Sequence, residues 1–344
     1  MIVLGIETSC DETSAAVLKN GVVKSNVISS QLVHKKYGGV VPELASRAHL
    51  RTIIEVVEEA LKRAGVSKHQ LEGIAATQGP GLVGALLVGL NFAKAMAYGL
   101  NIPFIAVNHM EGHLYSVFLE EMKPAYPFVS LIVSGGHSML VHVVEPHKHT
   151  VLGQTRDDAA GEAFDKVAKM LRLGYPGGPI IDKLAAQAMP DGRQGNPKAI
   201  KFPRTFLEEG TYDFSFSGVK TAVLYYLKHN DLLDNLSALS STLLADICAS
   251  FQDAVVDVLV EKTLAAAREM NVKDVALAGG VSANSRLRSR MKEECEKKGY
   301  RLFYPKLEYC MDNGAMIAYV GWMKLAHGIT SGFELPAIAN LELV

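Results

Sequence analysis

The sequence predicts an α/β protein built from two similar halves. Each half begins with three short segments typical of strands, and each then alternates helices with strands. Both halves end in the same order of strand, glycine-bearing loop, helix, strand and helix. This self-similarity indicates an internal duplication, so equivalent loops of the two halves can be compared in pairs.

The first half contains a strong hairpin signal, Asn20-Gly21, between two predicted strands. Pro42 is typical of a helix start, and Gly65 lies just past the predicted end of that helix at about Ala64. The remaining elements of this half are predicted strands at 2–9, 13–18, 22–30, 73–77 and 102–107, a helix at 83–98 and a helix continuing from His109 to about Met122.

The second half carries an insertion at about 174–240 that is rich in Pro, Gly, Asp and basic residues. Its predicted strands are 128–134, 138–145, 150–155, 275–278 and 301–304, and its predicted helices are 161–173, 239–270, 283–298 and 312–325. We therefore predict an N-terminal lobe of residues 1–125, onto which 326–344 packs back, and a C-terminal lobe of residues 126–325.

Composition narrows the class of protein. A chain of 344 residues favours two domains, and 49% hydrophobic with 21% charged residues is typical of a soluble globular protein. The net charge of −1 excludes a global basic field, so any nucleic-acid contact must come from local patches. The four cysteines form no C-x-x-C pair, and no signal peptide or membrane span is predicted, so we expect a cytoplasmic protein without a membrane partner.

A histidine pair lies at a predicted strand-to-helix junction, in Asn108-His109-Met110-Glu111-Gly112-His113. The i, i+4 spacing places both rings on one helix face, where they could form half of a Zn, Fe, Ni or Cu site. Two surface histidines are the alternative. Met110 occupies the position where the His-Glu-x-x-His motif requires glutamate, which disfavours a metalloprotease.

The duplication suggests a third ligand. His109 opens the last helix of the first half, and Asp312 opens the last predicted helix of the second. If the halves are related by a pseudo-twofold across a cleft, these helix starts face each other, and His109, His113 and Asp312 could share one ion. A plain N-cap is the alternative role of Asp312.

Three glycine- or hydroxyl-rich loops follow predicted strands, at 7–14, 132–138 and 278–284. Their backbone N–H groups could hold a phosphate, although each loop alone could be a tight turn.

Asp157, Asp158 and Glu162 suit a helix start, and carboxylates near a phosphate often bind ribose. Ser217 could cap another helix. Basic residues also cluster in three places, and each cluster could be solvated surface or could bind a phosphate backbone. The sequence does not show which cluster would do so. The first cluster is Arg286, Arg288, Arg290 and Lys292, the second is Lys198, Lys201 and Arg204, and the third is Arg47 and Arg51.

Together the motifs resemble the universal tRNA threonylcarbamoyladenosine transferase family, formerly named glycoprotease or O-sialoglycoprotein endopeptidase. The resemblance covers nearly the whole chain. It rests on Gly5–Thr13, Asn108–His113, Val133–His137, Asp158–Lys166 and Gly279–Asn284. It implies the duplicated actin, Hsp70 and sugar-kinase (ASKHA) fold, with two lobes around a central cleft.

The resemblance also implies an activity and a set of site residues. The family transfers threonylcarbamoyl from threonylcarbamoyl-AMP to the N6 amine of the adenosine beside the anticodon, in tRNAs reading codons that begin with A, and releases AMP. His109, His113 and Asp312 would bind one Fe²⁺ or Zn²⁺ per subunit, and Asp11 and Glu12 are candidates for proton transfer. The implied substrate-binding residues are Ile132, Val133, Ser134, Gly135, Gly136, Asp165, Gly178, Asp182 and Asn284.

Two positions place the chain near the bacterial type. Ile132 and His137 stand where archaeal and eukaryotic members carry a tyrosine metal ligand and an asparagine. The bacterial type implies two protein partners, a metal-free paralogue of the same fold and a small P-loop ATPase. The alternatives are an ATP-dependent kinase or a chaperone-like ATPase of the same fold, in which the histidine pair has no role.

Overall fold

The computed structural model describes residues 1–31, 33–34, 37–187, 194–206, 210–233, 235 and 239–343. The chain forms two compact units, Met1–Lys123 with Pro305–Val344, and Pro124–Tyr304. Parts of the predicted insertion at 174–240 lie outside the described residues.

The first unit is organised around a five-stranded sheet. Its strands are β1 (Ile2–Glu7), β2 (Glu12–Lys19), β3 (Val22–Ser30), β4 (Gly73–Gly79) and β5 (Phe104–Asn108). They lie in the order β3-β2-β1-β4-β5, in which β1 to β3 pair antiparallel, and β4 and β5 add in parallel on the other side of β1. Asn20 and Gly21 both have positive φ angles, 52° and 75°, as a tight hairpin between twisted strands requires.

Five α-helices lie in the described part of the same unit. They are α1 (Pro42–Ala64), α2 (Val83–Leu100), α3 (His109–Tyr115), α9 (Leu307–Cys310) and α10 (Gly314–Ala326). The long helix α1 begins with Pro at its first turn and ends at Gly65, whose φ of 63° is the left-handed conformation that glycine adopts without strain. Helix α3 is shorter than predicted, because the chain tightens to a 3₁₀ turn at Ser116–Leu119.

Helix α10 explains why the unit boundary differs from the expected one. Small residues let the helix lie directly on the first sheet: a Cβ on Gly5 would lie 2.3 Å from the Ala318 nitrogen, and one on Gly321 would lie 2.3 Å from the Ala75 Cβ. Residues 305–325, which we expected in the second lobe, therefore pack with the first unit.

Helix α2 meets a length and composition criterion for crossing a membrane. The criterion is weak for a single helix, since core helices of soluble proteins also meet it. In this structure, one face of α2 is buried in the first unit through Ala85, Leu86, Leu90, Ala93 and Ala97.

The second unit repeats the sheet with further helices around it. Its elements are β6 (Phe128–Val133), β7 (Ser138–Glu145), β8 (Lys148–Gln154), α4 (Ala160–Met170), α5 (Gly177–Ala186), α6 (Ser217–His229), α7 (Ser241–Glu269), β9 (Asp274–Ala278), α8 (Ser285–Lys298) and β10 (Arg301–Phe303). The strand order is β10-β9-β6-β7-β8, in which β6 to β8 form the antiparallel part, and β9 and β10 add in parallel beside β6. The buried helix α7 contributes much of the core of this unit.

Candidate functional site

The histidine helix α3 is held in place at both of its faces. Asn108 caps its start, with the Asn108 Oδ1 accepting hydrogen bonds from the Met110 and Glu111 N–H groups. An ion pair between the buried Glu111 and the half-buried Lys324 of α10 joins the other face at 2.6 Å. Every residue of α3 is buried, so the predicted alternative of two surface histidines is excluded.

Three side chains meet at the start of this helix. The Asp312 Oδ1 lies 3.4 Å from the His109 Nε2 and 3.2 Å from the His113 Nε2. Two donors that each lie about 2.1 Å from one ion, at tetrahedral or octahedral angles, are separated by about 3.0–3.4 Å. The three ligand atoms lie within 4.8 Å of one another, so one ion could contact them all.

The buried histidine His113 supports a ligand beyond the protein's own groups. Among the residues that the structure describes, neither of its ring nitrogens has a hydrogen-bond partner of acceptable geometry. A buried polar atom without a partner is costly, and an ion beside Nε2 would remove that cost. Two imidazoles and one carboxylate are a donor set found with both non-haem Fe²⁺ and Zn²⁺, so the residues fit either metal.

The route by which Asp312 arrives differs from the prediction. Asp312 does not come from the second lobe, because it lies in the first unit, between α9 and α10. It is also not the N-cap of α10. That position belongs to Asn313, whose side chain accepts a hydrogen bond from the Met316 N–H. The Asp312 carboxylate is therefore free of the capping role and lies beside the two histidine rings.

A second carboxylate, which the sequence did not indicate, orients His109. The Glu7 Oε2 lies 3.0 Å from the His109 Nδ1, and Glu7 is fully buried. Thr77 donates a hydrogen bond to the same oxygen at 2.6 Å, and the Ser9 N–H donates to the other. If Nδ1 carries the proton, the Nε2 lone pair faces Asp312 and is available to an ion, the usual arrangement behind a metal-bound histidine.

The buried charges shift the pKa values of this cluster. Burial lowers the pKa of His109, but the Asp312 and Glu7 carboxylates raise it well above 6.5. Burial raises the pKa of Asp312, and the two histidines together lower it below its ordinary value. The two carboxylates create a negative potential beside His109, which favours a proton on the ring and would equally favour a metal cation that replaces that proton.

Asp11 ends the β1–β2 connection, and Glu12 is the first residue of β2. Burial raises the pKa of Glu12 to about 9, with further contributions from the charges of Asp312 and Asp11. A cation at the three ligands would act on Glu12 in the opposite direction.

In the second unit, a glycine turn joins β6 to β7. The Ser134 N–H donates to the His137 carbonyl at 2.8 Å, so Gly135 and Gly136 form the exposed tip, and a Cβ on either would meet nothing within 4 Å. Gly161 and Gly279 bring two further segments against this turn. A Cβ on Gly161 would lie 2.5 Å from the Ser134 carbonyl oxygen, and one on Gly279 would lie 2.3 Å from the Val133 carbonyl oxygen. The predicted residues Ile132–Gly136 therefore lie beside the start of α4 and the end of β9.

The other predicted substrate residues of this unit have structural contacts. Asp165 accepts a hydrogen bond from the Gly177 N–H at 2.7 Å, and Asp182 accepts from the Ser285 N–H and hydroxyl. Asn284 caps α8 and donates to the Gln252 side chain at 2.9 Å. Gly178 is open, with the nearest atom 4.0 Å from an added Cβ.

The acidic and basic clusters are largely paired within the second unit. Asp157, not Ser217, caps α6 by accepting from the Phe216 and Ser217 N–H groups. Asp158 lies 2.6 Å from both Lys166 and Lys220. The arginines Arg204, Arg286 and Arg290 pair with Asp253 or Asp257 of α7.

Comparison with known proteins identifies the family. The family model described as tRNA N6-adenosine threonylcarbamoyltransferase (TsaD) matches residues 21–319. A protein of that name from Salinibacter ruber is 54% identical over the full length of both chains. One from Clostridioides difficile is 50% identical over 100% of this chain and 98% of its own.

Solved structures confirm the predicted fold class. Full-length HypF in its phosphate- and nucleotide-bound form matches 95% of this chain and 46% of its own, with a TM-score of 0.61 and 14% identity. HypF from T. kodakarensis matches with a TM-score of 0.58 and 16% identity over 97% of this chain and 49% of its own. These likenesses concern the ASKHA-type fold alone. From its sequence relatives, the chain belongs to the tRNA N6-adenosine threonylcarbamoyltransferase family.

Proposed function

We propose that this protein transfers a threonylcarbamoyl group from threonylcarbamoyl-AMP to the N6 amine of the adenosine beside the anticodon, in tRNAs reading codons that begin with A. The observation that carries the site is the convergence of His109, His113 and Asp312 on one point in the first unit. The names of the sequence relatives support the reaction.

We propose that these three side chains hold one Fe²⁺, with Zn²⁺ as the alternative that the donor set also fits. When bound, such an ion would act as a Lewis acid on the threonylcarbamoyl carbonyl and orient the threonyl moiety. Glu7 fixes the ring of His109 through the Nδ1 contact at 3.0 Å and so holds the ligand set in one orientation.

The adenylate is proposed to bind residues of the second unit. Ile132, Val133 and Ser134 lead to the exposed Gly135-Gly136 tip, whose backbone N–H groups would bind the phosphate and acyl part, as glycine tips do for anions. Asp165 and Asp182 would bind the ribose hydroxyls, and Gly178 and Asn284 the nucleoside. The hydrogen bonds that these side chains already make keep them in fixed orientations.

The chemistry balances as an acyl transfer. The adenosine N6 attacks the carbonyl carbon, the bond from that carbon to the phosphate oxygen breaks, and AMP leaves with the electron pair. The amine must lose one proton, and we propose Asp11 or Glu12 as its acceptor. The attacking amine is weakly nucleophilic, so positioning should supply much of the rate enhancement.

An exposed apolar face of the first unit supports the proposed protein partners. Leu50 and Ile54 of α1 are 64% and 56% exposed, and Val83 and Leu87 of α2 are 47% and 43% exposed. Gly84 packs on Ser46, which brings the two helices together at this face. Each pair is spaced i, i+4, as in helix-to-helix interfaces. We propose that the metal-free paralogue binds here and that a small P-loop ATPase joins the complex, in the cytoplasm.

Leu50→Glu with Leu87→Glu tests this interface. We expect association with the paralogue to weaken at least a hundredfold in analytical ultracentrifugation, because two charges would be desolvated. Val22→Glu is the control, since Val22 is an equally exposed apolar residue on β3 of the same unit. Equal weakening by both variants would contradict the assignment of this face.

The tRNA contact is proposed to involve Lys198 and Lys201. Both are exposed, and neither has an ion pair among the described residues, whereas the arginines of α8 at 286 and 290 are paired. Such lysines can neutralise phosphates without first breaking an ion pair to a carboxylate.

Reconstitution tests the proposed activity. The protein, both partners, threonylcarbamoyl-AMP and unmodified tRNA should yield modified tRNA, with AMP in equal amount. His109→Ala, His113→Ala or Asp312→Ala should lower the rate by a factor on the order of a thousand and remove the ion measured by mass spectrometry. His69→Ala, at an exposed histidine of the same unit, is the control.

Modification that survives loss of all three ligands would refute the metal assignment, and ATP turnover on a small substrate without tRNA would favour a kinase.

A further inference from the structure

The C-terminal segment, residues 331–342, lies along the first unit as a strap without helix or strand. It begins on the edge strand β5, where the Ser331 N–H donates to the Phe104 carbonyl and the Ala106 N–H donates to the Ser331 hydroxyl, both at 2.9 Å. Phe333 then stacks on Phe104 and meets Tyr98 edge-on, with ring centroids 6.1 and 5.8 Å apart. These contacts anchor the C-terminal strap before it reaches the histidine helix.

The middle of the C-terminal strap binds the end of β4 and the loop that follows it. The Ile338 N–H donates to the Gln78 carbonyl at 2.9 Å, and the Gly81 N–H donates to the Ala339 carbonyl at 3.0 Å. A Cβ on Gly79 would lie 1.9 Å from the Ile338 carbonyl oxygen, so only glycine permits this approach. The strap and this loop are therefore fitted to each other.

The end of the C-terminal strap reaches the cap of the metal-ligand helix. The Asn108 Nδ2 donates to the Glu342 carbonyl at 2.8 Å, while its Oδ1 accepts from the Met110 N–H at 2.8 Å. The Asn108 side-chain amide thus connects the strap to the first turn of α3. The first residue of that helix, His109, is a proposed metal ligand. Both functions of the amide are used, which Asp and Ser could not reproduce.

The loop after β4 gives the strap a second connection to the same ligand. The Leu82 N–H donates to the Ser9 carbonyl at 2.8 Å, and Thr77, just before the loop, donates to Glu7. Glu7 in turn contacts the His109 Nδ1. The C-terminal strap therefore touches both the element that carries the histidines and the element that supports the Glu7 contact.

We propose that the C-terminal strap is a positioning element of the metal site, acting through Asn108 and the loop after β4. The inference rests on the proposed metal site. A strap that merely covered the edge of β5 would need only the Ser331 and Phe333 contacts. The additional bonds at 338–342 lie at the end of the strand, beside the ligands, and fix groups whose orientation decides ion affinity.

Three variants separate positioning from stability. Asn108→Ser keeps an N-cap oxygen but loses the bond to the strap, whereas Asn108→Ala loses both. Phe333→Ala loosens the strap at its anchor without touching α3. As a control, Val57→Ala, in the buried core of the same unit, lowers stability but has no part in the strap. Each protein is first shown to be folded by circular dichroism.

Affinity for Co²⁺ and Zn²⁺ is then measured by competition with a chromophoric chelator, and the Co²⁺ absorption bands report ligand geometry. We expect Asn108→Ser and Phe333→Ala to weaken binding about tenfold and to change the Co²⁺ spectrum, with a larger loss for Asn108→Ala. Val57→Ala should leave both unchanged. Variants that bind like the unaltered protein would overturn the strap's role alone. An unaltered protein that binds neither ion would overturn the metal site and this inference together.

Discussion

The two units share one strand order but use the ends of their central strands differently. In each, a four-residue connection joins the central strand to its antiparallel neighbour, residues 8–11 in the first unit and 134–137 in the second. The first connection follows the buried Glu7 and has buried Thr8 and Ser9, whereas the second has an exposed Gly135-Gly136 tip. The same backbone arrangement therefore supports a buried, carboxylate-rich cluster in one unit and an exposed glycine tip in the other.

The last helices of the two halves differ more. Helix α3 follows β5 and stays with its own sheet, while α10 follows β10 but packs on the first sheet through Gly5 and Gly321. Asp312 and the two histidines therefore lie in the same unit, although they occupy equivalent places in the two halves of the sequence. A duplicated fold predicts which loops correspond, but packing decides where each element lies.

The largest expected effect is that one variant loses ion binding alone and another loses AMP binding alone. Asp312→Asn should abolish binding of the proposed ion, because it removes the anionic ligand, and leave AMP affinity within about threefold. Asp165→Asn should weaken AMP at least tenfold and leave ion binding unchanged, as each lost hydrogen bond to a charged group contributes about 1.5–3 kcal/mol. Isothermal titration with each ligand measures both. Loss of ion and AMP binding together in either variant would contradict the division of roles.

The second prediction concerns the ion pair that holds α3. Lys324→Met should lower the free energy of unfolding by about 2 kcal/mol, because the buried Glu111 carboxylate loses a charged hydrogen bond of 2.6 Å. Arg63→Met is the matched control, since its partner Glu59 is exposed and such surface pairs contribute about 0–1 kcal/mol. Urea denaturation of the metal-free protein compares the two. Similar losses would show that the α3 ion pair is not special.

A third prediction tests the glycine turn of the second unit. Gly161→Ala places a Cβ 2.5 Å from the Ser134 carbonyl oxygen, so we expect a loss of about 2 kcal/mol in stability and weaker AMP binding. The helical preference of Ala over Gly, about 1 kcal/mol, cannot offset that clash. In the first unit, Gly99→Ala near the end of α2 meets nothing within 4 Å and should stabilise by about 0.5 kcal/mol. Thermal melts that rank the two variants in the opposite order would exclude the close approach.

The smallest effect is a contrast in histidine titration. In the metal-free protein, the carboxylates beside His109 raise its pKa, whereas burial lowers the pKa of His142 in β7. The stability that His109 contributes is therefore complete below about pH 6.5 and is lost as the pH rises through its folded-state pKa. NMR titration of the imidazoles should find His109 still charged where His142 is neutral, and a His109 ring that loses its proton first would contradict the carboxylate contacts. Ion binding should reverse the trend, because it requires neutral rings.

Local sequence patterns determined much of this protein. Alternating apolar and polar residues and short apolar runs located the strands. Pro42 and Gly65 marked the two ends of α1, and Asn20-Gly21 located the first hairpin. The i, i+4 spacing placed both histidines on one face of a helix, and Gly135 and Gly136 indicated a loop between two strands. These features follow from interactions within a few residues, which a single sequence records directly.

Only the tertiary structure decided which distant groups complete the histidine site. Glu7 meets His109 across 102 residues, and Asn108 meets Glu342 across 234. Asp312 was expected beside the histidines, but not from the same unit. No periodicity encodes such contacts, because they depend on how α10 and the C-terminal strap pack on the first sheet, and packing is settled by the shapes of surfaces rather than by order along the chain.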